Sequence, residues 1–149
     1  MRNRARLVAS FFGAGFVPVA PGTAGSVAAL LPGLALLWVS HVALAAGVVA
    51  VVGVGLWAIR AARGEDDPGW VVIDEVAGQW IALLALPHPS VFGALAALAA
   101  FRLFDVTKPG PVGWAERLPG ALGVMADDVL AGALAWMAVL GLGWVVPLG

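Results

Sequence analysis

Three aspartates, Asp105, Asp127 and Asp128, are the residues in this sequence best suited to chemistry. Mg2+ takes hard oxygen ligands in an octahedron and usually keeps waters and phosphate oxygens beside one or two protein carboxylates. Carboxylates on facing helix ends would supply such a site. Asp74 and Glu75 form a second acidic pair, and either could join a metal cluster or act as a base. Glu75 and Gln79 share a helix face at i, i+4. Arg102 and Lys108 bracket Asp105 and could pair with it. They could also hold a phosphate, the arginine bidentately and the lysine as a point charge. The run Pro21-Gly22-Thr23-Ala24-Gly25-Ser26 opens an apolar stretch. It lacks the lysine of a Walker A loop, yet small residues at a helix start expose amides suited to an anion.

Each of these has a plainer explanation. Acids at a helix N-terminus complement the dipole and cap free amides. That would suffice for Asp127 and for one of Asp74 and Glu75. It is poorer for both Asp127 and Asp128, whose side chains diverge by about 100° on a helix. It fails for Asp105, which falls at a helix C-terminus, where negative charge is unfavourable. Arg102 could be a snorkelling interfacial cation, and Thr23 or Ser26 a simple cap. Against these stands the rule that ionisable groups at membrane depth are functional candidates by default. No cysteine is present to serve as a nucleophile or thiolate ligand, and the two histidines, His41 and His88, lie far from the acids in the expected topology.

The elements that must position these groups are membrane helices. Hydrophobic residues make up 62% of the 149-residue chain and charged residues 11%, against about 25% charged in a typical soluble protein. So few charges could not cover a soluble surface of this size. A formal net charge of -1 gives no case for nucleic acid. Apolar runs predict five helices, over about 24–39, 42–62, 70–86, 90–104 and 127–146. The third, with two carboxylates, departs furthest from an ordinary span. Tryptophans at 38, 70, 80 and 144 stand where an interfacial belt would want them. The start, Met1 to Phe12, imitates a signal peptide's basic region and apolar core, but Gly13, Gly15 and Pro18 break it, and we expect it to be retained. One domain, 1–149, is expected.

With five crossings, Arg2, Arg4, Arg6, Arg60, Arg63, Arg102, Lys108 and Arg117 all fall on one side. The positive-inside rule makes that side cytoplasmic, with the N-terminus inside and the C-terminus outside. The same topology gathers Asp74, Glu75, Asp105, Asp127 and Asp128 at the cytoplasmic helix ends.

Three blocks together resemble the bacterial phosphatidylglycerophosphatase A family. They are Ala20 to Ser26, then Asp74-Glu75-Val76-Ala77-Gly78-Gln79-Trp80, then Phe101-Arg102-Leu103-Phe104-Asp105-Val106-Thr107-Lys108-Pro109, continuing through Gly120, Gly123, Met125, Asp127-Asp128 and Ala131-Gly132. The resemblance implies an all-α polytopic lipid phosphatase of the bacterial inner membrane. It would be Mg2+-dependent and convert phosphatidylglycerophosphate to phosphatidylglycerol and phosphate. It assigns Asp74, Glu75, Asp105, Asp127 and Asp128 to the metal and Arg102 and Lys108 to the phosphate, with Gly22, Thr23 and Ser26 in substrate binding. Catalytic roles fall to Glu75, Arg102, Asp105, Lys108, Asp127 and Asp128. The expected mechanism is attack by metal-activated water, with an aspartyl-phosphate as the alternative. Two rivals remain. A CDP-alcohol phosphotransferase would need an Asp-Gly…Ala-Arg…Gly…Asp pattern that is absent. A transporter would want polar groups near the midplane.

Overall fold

The computed structural model describes residues 1–63 and 69–149, and the side chain of Arg63 is outside that description. Most of the polar connection expected between the second and third runs therefore lies outside the described residues. All regular structure among the described residues is helical: α1 (Arg2–Ala9), a 3-10 turn (Ala14–Phe16), α2 (Pro21–Val39), α3 (His41–Arg63), α4 (Ile73–Leu83), α5 (Val91–Thr107), α6 (Pro111–Ala115) and α7 (Gly120–Gly143).

Three of these, α2, α3 and α7, are long and apolar enough to cross a membrane. Large apolar side chains project outward from them, with Leu31 and Trp38 both 80% exposed. In water such exposure would be costly, whereas in lipid it is not. The fourth expected run forms α5, 17 residues long. The third is shorter than its hydropathy suggests: α4 has 11 residues, a rise of about 16 Å, roughly half the hydrocarbon thickness.

α4 is the axis of the bundle. Nine of its residues are buried, Asp74 and Gln79 among them, and it packs against α2, α3, α5 and α7. Protein rather than lipid surrounds it, which is how a helix with two carboxylates and an amide can sit at membrane depth. Contacts fix the directions. Gly22 lies beside Glu75 and Gly33 beside Leu83, so α2 runs parallel to α4. Gly47 lies beside Trp80 and Gly55 beside Ile73, so α3 runs opposite. Gly93 lies beside Leu86, Phe101 beside Gly78 and Arg102 beside Gly22, so α5 also runs opposite to α4. Close approach at Gly25, Gly33, Gly78 and Gly132 leaves no room for a Cβ, the small-residue packing that membrane helices use in place of a hydrophobic drive.

Several expected boundaries move. The loop expected over 105–126 contains α6 and the first two turns of α7. Gly120 and Gly123 read as loop residues, but Gly120 has a φ of 63° and serves as the turn into the helix. Gly123 is held against the Leu118 carbonyl. Trp80 does not sit in an interfacial belt: it is buried, and its indole N–H donates to the Ala29 carbonyl at 2.8 Å. Trp38 and Trp144 are exposed near helix ends, as a belt requires.

Candidate functional site

The acids converge at one end of the bundle. Asp74 and Glu75 come from the first turn of α4, Asp105 from the last turn of α5, and Asp127 and Asp128 from α7. Together with Gly69, Val71, Val124 and Lys108 they line a cavity of about 150 Å3. Within it, Asp74, Glu75 and Asp128 each offer an oxygen, all within 4.8 Å of one another.

Helix capping does not explain these acids. Val72 is the N-cap of α4, and no side chain caps it. Asp127 and Asp128 do not open α7 as the sequence suggested; the helix begins at Gly120, two turns earlier. Asp128 is 3% exposed. Three carboxylates crowded together repel one another, and burying such charge is costly without a countercharge. Two of their oxygens, Asp74 Oδ1 and Glu75 Oε2, are buried without any hydrogen-bond partner among the described residues. A divalent cation would satisfy these oxygens and offset the repulsion. Hard carboxylate oxygens with room for water are the donor set Mg2+ takes, so the residues fit that ion.

The other two acids are already matched. Asp105 is paired with Arg102, one turn earlier on α5. Asp127 accepts from Lys108 Nζ at 2.6 Å, and Glu116 lies 3.3 Å from the same ammonium. Lys108 therefore pairs with α7 and not, as its spacing allowed, with Asp105. The reason is local: Lys108 ends α5 in the left-handed conformation, φ 46°, which turns it out of the helical register. Burial acts to lower its pKa, but the hydrogen bond and charge of Asp127 outweigh this and hold it above the ordinary lysine value.

The Pro21–Ser26 run meets the site through Gly22. A Cβ there would come 2.5 Å from Glu75 Oε1 and 3.2 Å from Arg102 Nη1. Only glycine lets α2 approach so closely. Neither hydroxyl caps α2, whose N-cap is Ala20. Ser26 is buried and donates back to the Gly22 carbonyl at 2.9 Å. Thr23 is exposed on a groove with Val19, Ala20 and Val27.

Glu116, the second partner of Lys108, was not singled out in the sequence; Gly78 and Gly132 stood there only within the matching blocks, and the structure makes them the contact where α4 meets α7. The signal for the glycines was present. Each stands four residues after a carboxylate of the cluster, Asp74 and Asp128, and so on the same helix face. Gln79 lies one turn beyond Glu75, fully buried, with neither amide atom partnered among the described residues.

A family model described as Phosphatidylglycerophosphatase A matches residues 7–143. A protein of Bacteroides thetaiotaomicron named "Putative phosphatidylinositol-3-phosphatase" is 42% identical over 94% of both chains. Two proteins named Phosphatidylglycerophosphatase A are also similar. The Escherichia coli protein is 33% identical, covering 100% of this chain and 89% of its own. The Haemophilus influenzae protein is 39% identical, covering 92% and 87%. No solved structure matches significantly. With a membrane-capable bundle, all-helical among the described residues, and a carboxylate-lined cavity that includes Lys108, the chain belongs to the phosphatidylglycerophosphatase A family of phosphatases.

Proposed function

We propose that this cavity hydrolyses the phosphomonoester of phosphatidylglycerophosphate, giving phosphatidylglycerol and phosphate, with Mg2+ held by Asp74, Glu75 and Asp128. The observation that carries this reading is the pair of buried, unpartnered carboxylate oxygens beside Asp128. When bound, Mg2+ supplies a Lewis acid for the phosphoryl oxygens and for the attacking water. The remaining work falls to the chain. Lys108, in the cavity wall, and Arg102, paired with Asp105 of that wall, would offset charge on the phosphoryl group. Asp105 and Asp127 hold those cations in place and complete the outer ring of the metal site. Gly22 brings the start of α2 against Glu75 and Arg102, and Thr23 and Ser26 support the lipid there without acting as nucleophiles. The cavity, about 150 Å3, has room for a phosphate and the attacking water.

In this reading α2, α3, α4, α5 and α7 make five crossings of the bacterial inner membrane, with the N-terminus and the carboxylate end cytoplasmic. The basic residues Arg2, Arg4, Arg6, Arg60, Arg102, Lys108 and Arg117 support that orientation. Because α4 is surrounded by protein, it need not match the bilayer thickness by itself.

A second substrate has one observation in its favour, the name of the Bacteroides thetaiotaomicron relative. Phosphate release by purified protein, measured on phosphatidylglycerophosphate and on phosphatidylinositol 3-phosphate, with Mg2+ and with a chelator, decides between them. Faster Mg2+-dependent turnover of phosphatidylglycerophosphate is expected. The opposite preference would transfer the assignment to the inositol lipid, and release unaffected by chelation would end the metal reading.

A further inference from the structure

The N-terminal 63 residues contain no aspartate or glutamate, yet Arg2, Arg4 and Arg6 follow one another along α1. None of the three makes an ion pair among the described residues. Arg6 is not simply solvated. Its guanidinium lies 5.2 Å from the ring centre of Phe16 and 5.1 Å from that of Trp70. Those rings are themselves in contact, with centroids 5.8 Å apart. Cation–π contact of this kind draws the guanidinium to the ring pair, and among the described residues no acid pairs with its N–H groups. Arg6, Asn3, Leu7 and Phe16 line an open depression of about 430 Å3. It offers a cation and an amide on one side and apolar surface on the other.

The chain beside it is strained. Phe11 and Phe12 both take left-handed backbone conformations, φ 45° and 57°. Bulky residues avoid that region, and such a conformation persists only where the surrounding structure holds it. Here it leaves Phe12 73% exposed, next to Phe16, Val17 and Val19, which are also exposed. An apolar patch with Arg6 at its edge is complementary to a layer of anionic phospholipid.

We propose that α1 and the 3-10 turn form a second lipid site, distinct from the carboxylate cavity, for an anionic phospholipid of the surrounding membrane. Arg6 and Asn3 take its headgroup phosphate, and Leu7 and Phe16 take the adjoining acyl segment. The site is tied to the cavity through the backbone. Gly15 packs on the carbonyl of Trp70, and the Val72 N–H donates to the Ala9 carbonyl at 2.9 Å. Gly69 and Val71, on either side of Trp70, line the cavity. A lipid held on Arg6 therefore braces the segment that leads into Asp74.

The test is a binding measurement that does not depend on the reaction. Protein purified in neutral detergent is supplied with equal amounts of phosphatidylglycerol and phosphatidylcholine, and the lipid retained is counted by native mass spectrometry. The wild type should hold phosphatidylglycerol about fivefold more than phosphatidylcholine, the preference one interfacial cation confers. Arg6→Gln, a surface change, should lose that preference, and Arg6→Lys should keep only part of it, since lysine has charge but no planar fork. Asp128→Asn should retain the lipid as the wild type does, which separates this site from the carboxylate cavity. Excess glycerol phosphate should not displace it, because the acyl contacts are absent. Equal retention by Arg6→Gln and wild type, equal retention of the two lipids, or displacement by glycerol phosphate would each overturn the proposal.

Discussion

Gly132 of α7 rests on the backbone of Gly78 of α4: a Cβ at position 132 would lie 2.5 Å from the Gly78 carbonyl oxygen and 2.8 Å from its Cα. One helical turn before them stand Asp128 and Asp74, two of the three clustered carboxylates. The helices run parallel here, so the closeness of the glycines sets the closeness of the acids. Gly132→Ala should therefore spread the cluster as well as strain the bundle. We expect a stability loss of about 1–3 kcal/mol, typical of overpacking, and at least about a tenfold loss in turnover, as misplaced groups cost. Gly53→Ala, with nothing within 4 Å of the added Cβ, should leave both unchanged. Thermal unfolding in detergent and initial rates check the pair.

Neutralising the clustered acids should weaken metal binding before it affects folding. Asp74→Asn, Glu75→Gln and Asp128→Asn each keep size and one oxygen but remove the charge that dominates attraction for Mg2+. Each should lose about a hundredfold in turnover, part of it recoverable at high Mg2+. Double variants should lose little more, because the second change acts on a broken site. Asp105→Asn and Asp127→Asn should be milder, since those acids are already paired with Arg102 and Lys108. Mn2+ binding followed by electron paramagnetic resonance gives a readout besides activity. Full activity and metal binding in Asp128→Asn would end the metal-site model.

The Pro21–Ser26 run should divide by contact. Gly22→Ala puts a methyl against Glu75 and Arg102 and should cut turnover at least about tenfold. Thr23→Ala, on an exposed position, should change turnover less than about threefold. Ser26→Ala removes one bond to the Gly22 carbonyl, a loss of about 1 kcal/mol of stability, and should stay active. Abolished activity in a well-folded Thr23→Ala or Ser26→Ala protein would reopen the case for a hydroxyl nucleophile.

Lys108 should not titrate in the working range. Its folded pKa is raised by Asp127 against the opposing effect of burial, and the unfolded value is about 10.4. For a raised cation, the stabilisation is fully present below the unfolded pKa and fades only as pH climbs through the folded one. The gap in melting temperature between wild type and Lys108→Met should therefore stay constant from about pH 6 to 9. A gap that closes within that range would show that the ion pair with Asp127 does not hold Lys108 charged.

The five-crossing topology is testable because the chain has no native cysteine. His88 is exposed at one end of the bundle and Pro119 at the other. On intact cells an impermeant thiol reagent should label His88→Cys and leave Pro119→Cys unlabelled until the membrane is opened. The reverse pattern would turn the carboxylate end outward.

Membrane character, helical class and the identity of the acids were legible in the sequence, because they rest on composition and on residue type. A chain with so few charges must place each one deliberately, and grouping the basic residues by side was enough to bring the acids to one end. What could not be read was which acids stand closest. Asp105, Asp127 and Asp128 looked like one unit because they flank one connection. That connection contains α6 and two turns of α7, and the left-handed turn at Lys108 sends its ammonium to Asp127. The tight cluster instead joins Asp128 to Asp74 and Glu75, across a contact between two glycines far apart in the chain. Hydropathy also drew the third helix over about 70–86, whereas α4 has 11 residues, packed on several sides by the other helices of the bundle. Residue type and spacing act along the chain and determine which groups can react. Helix crossing depends on where backbones can touch, and only the packed bundle decides which of those groups meet.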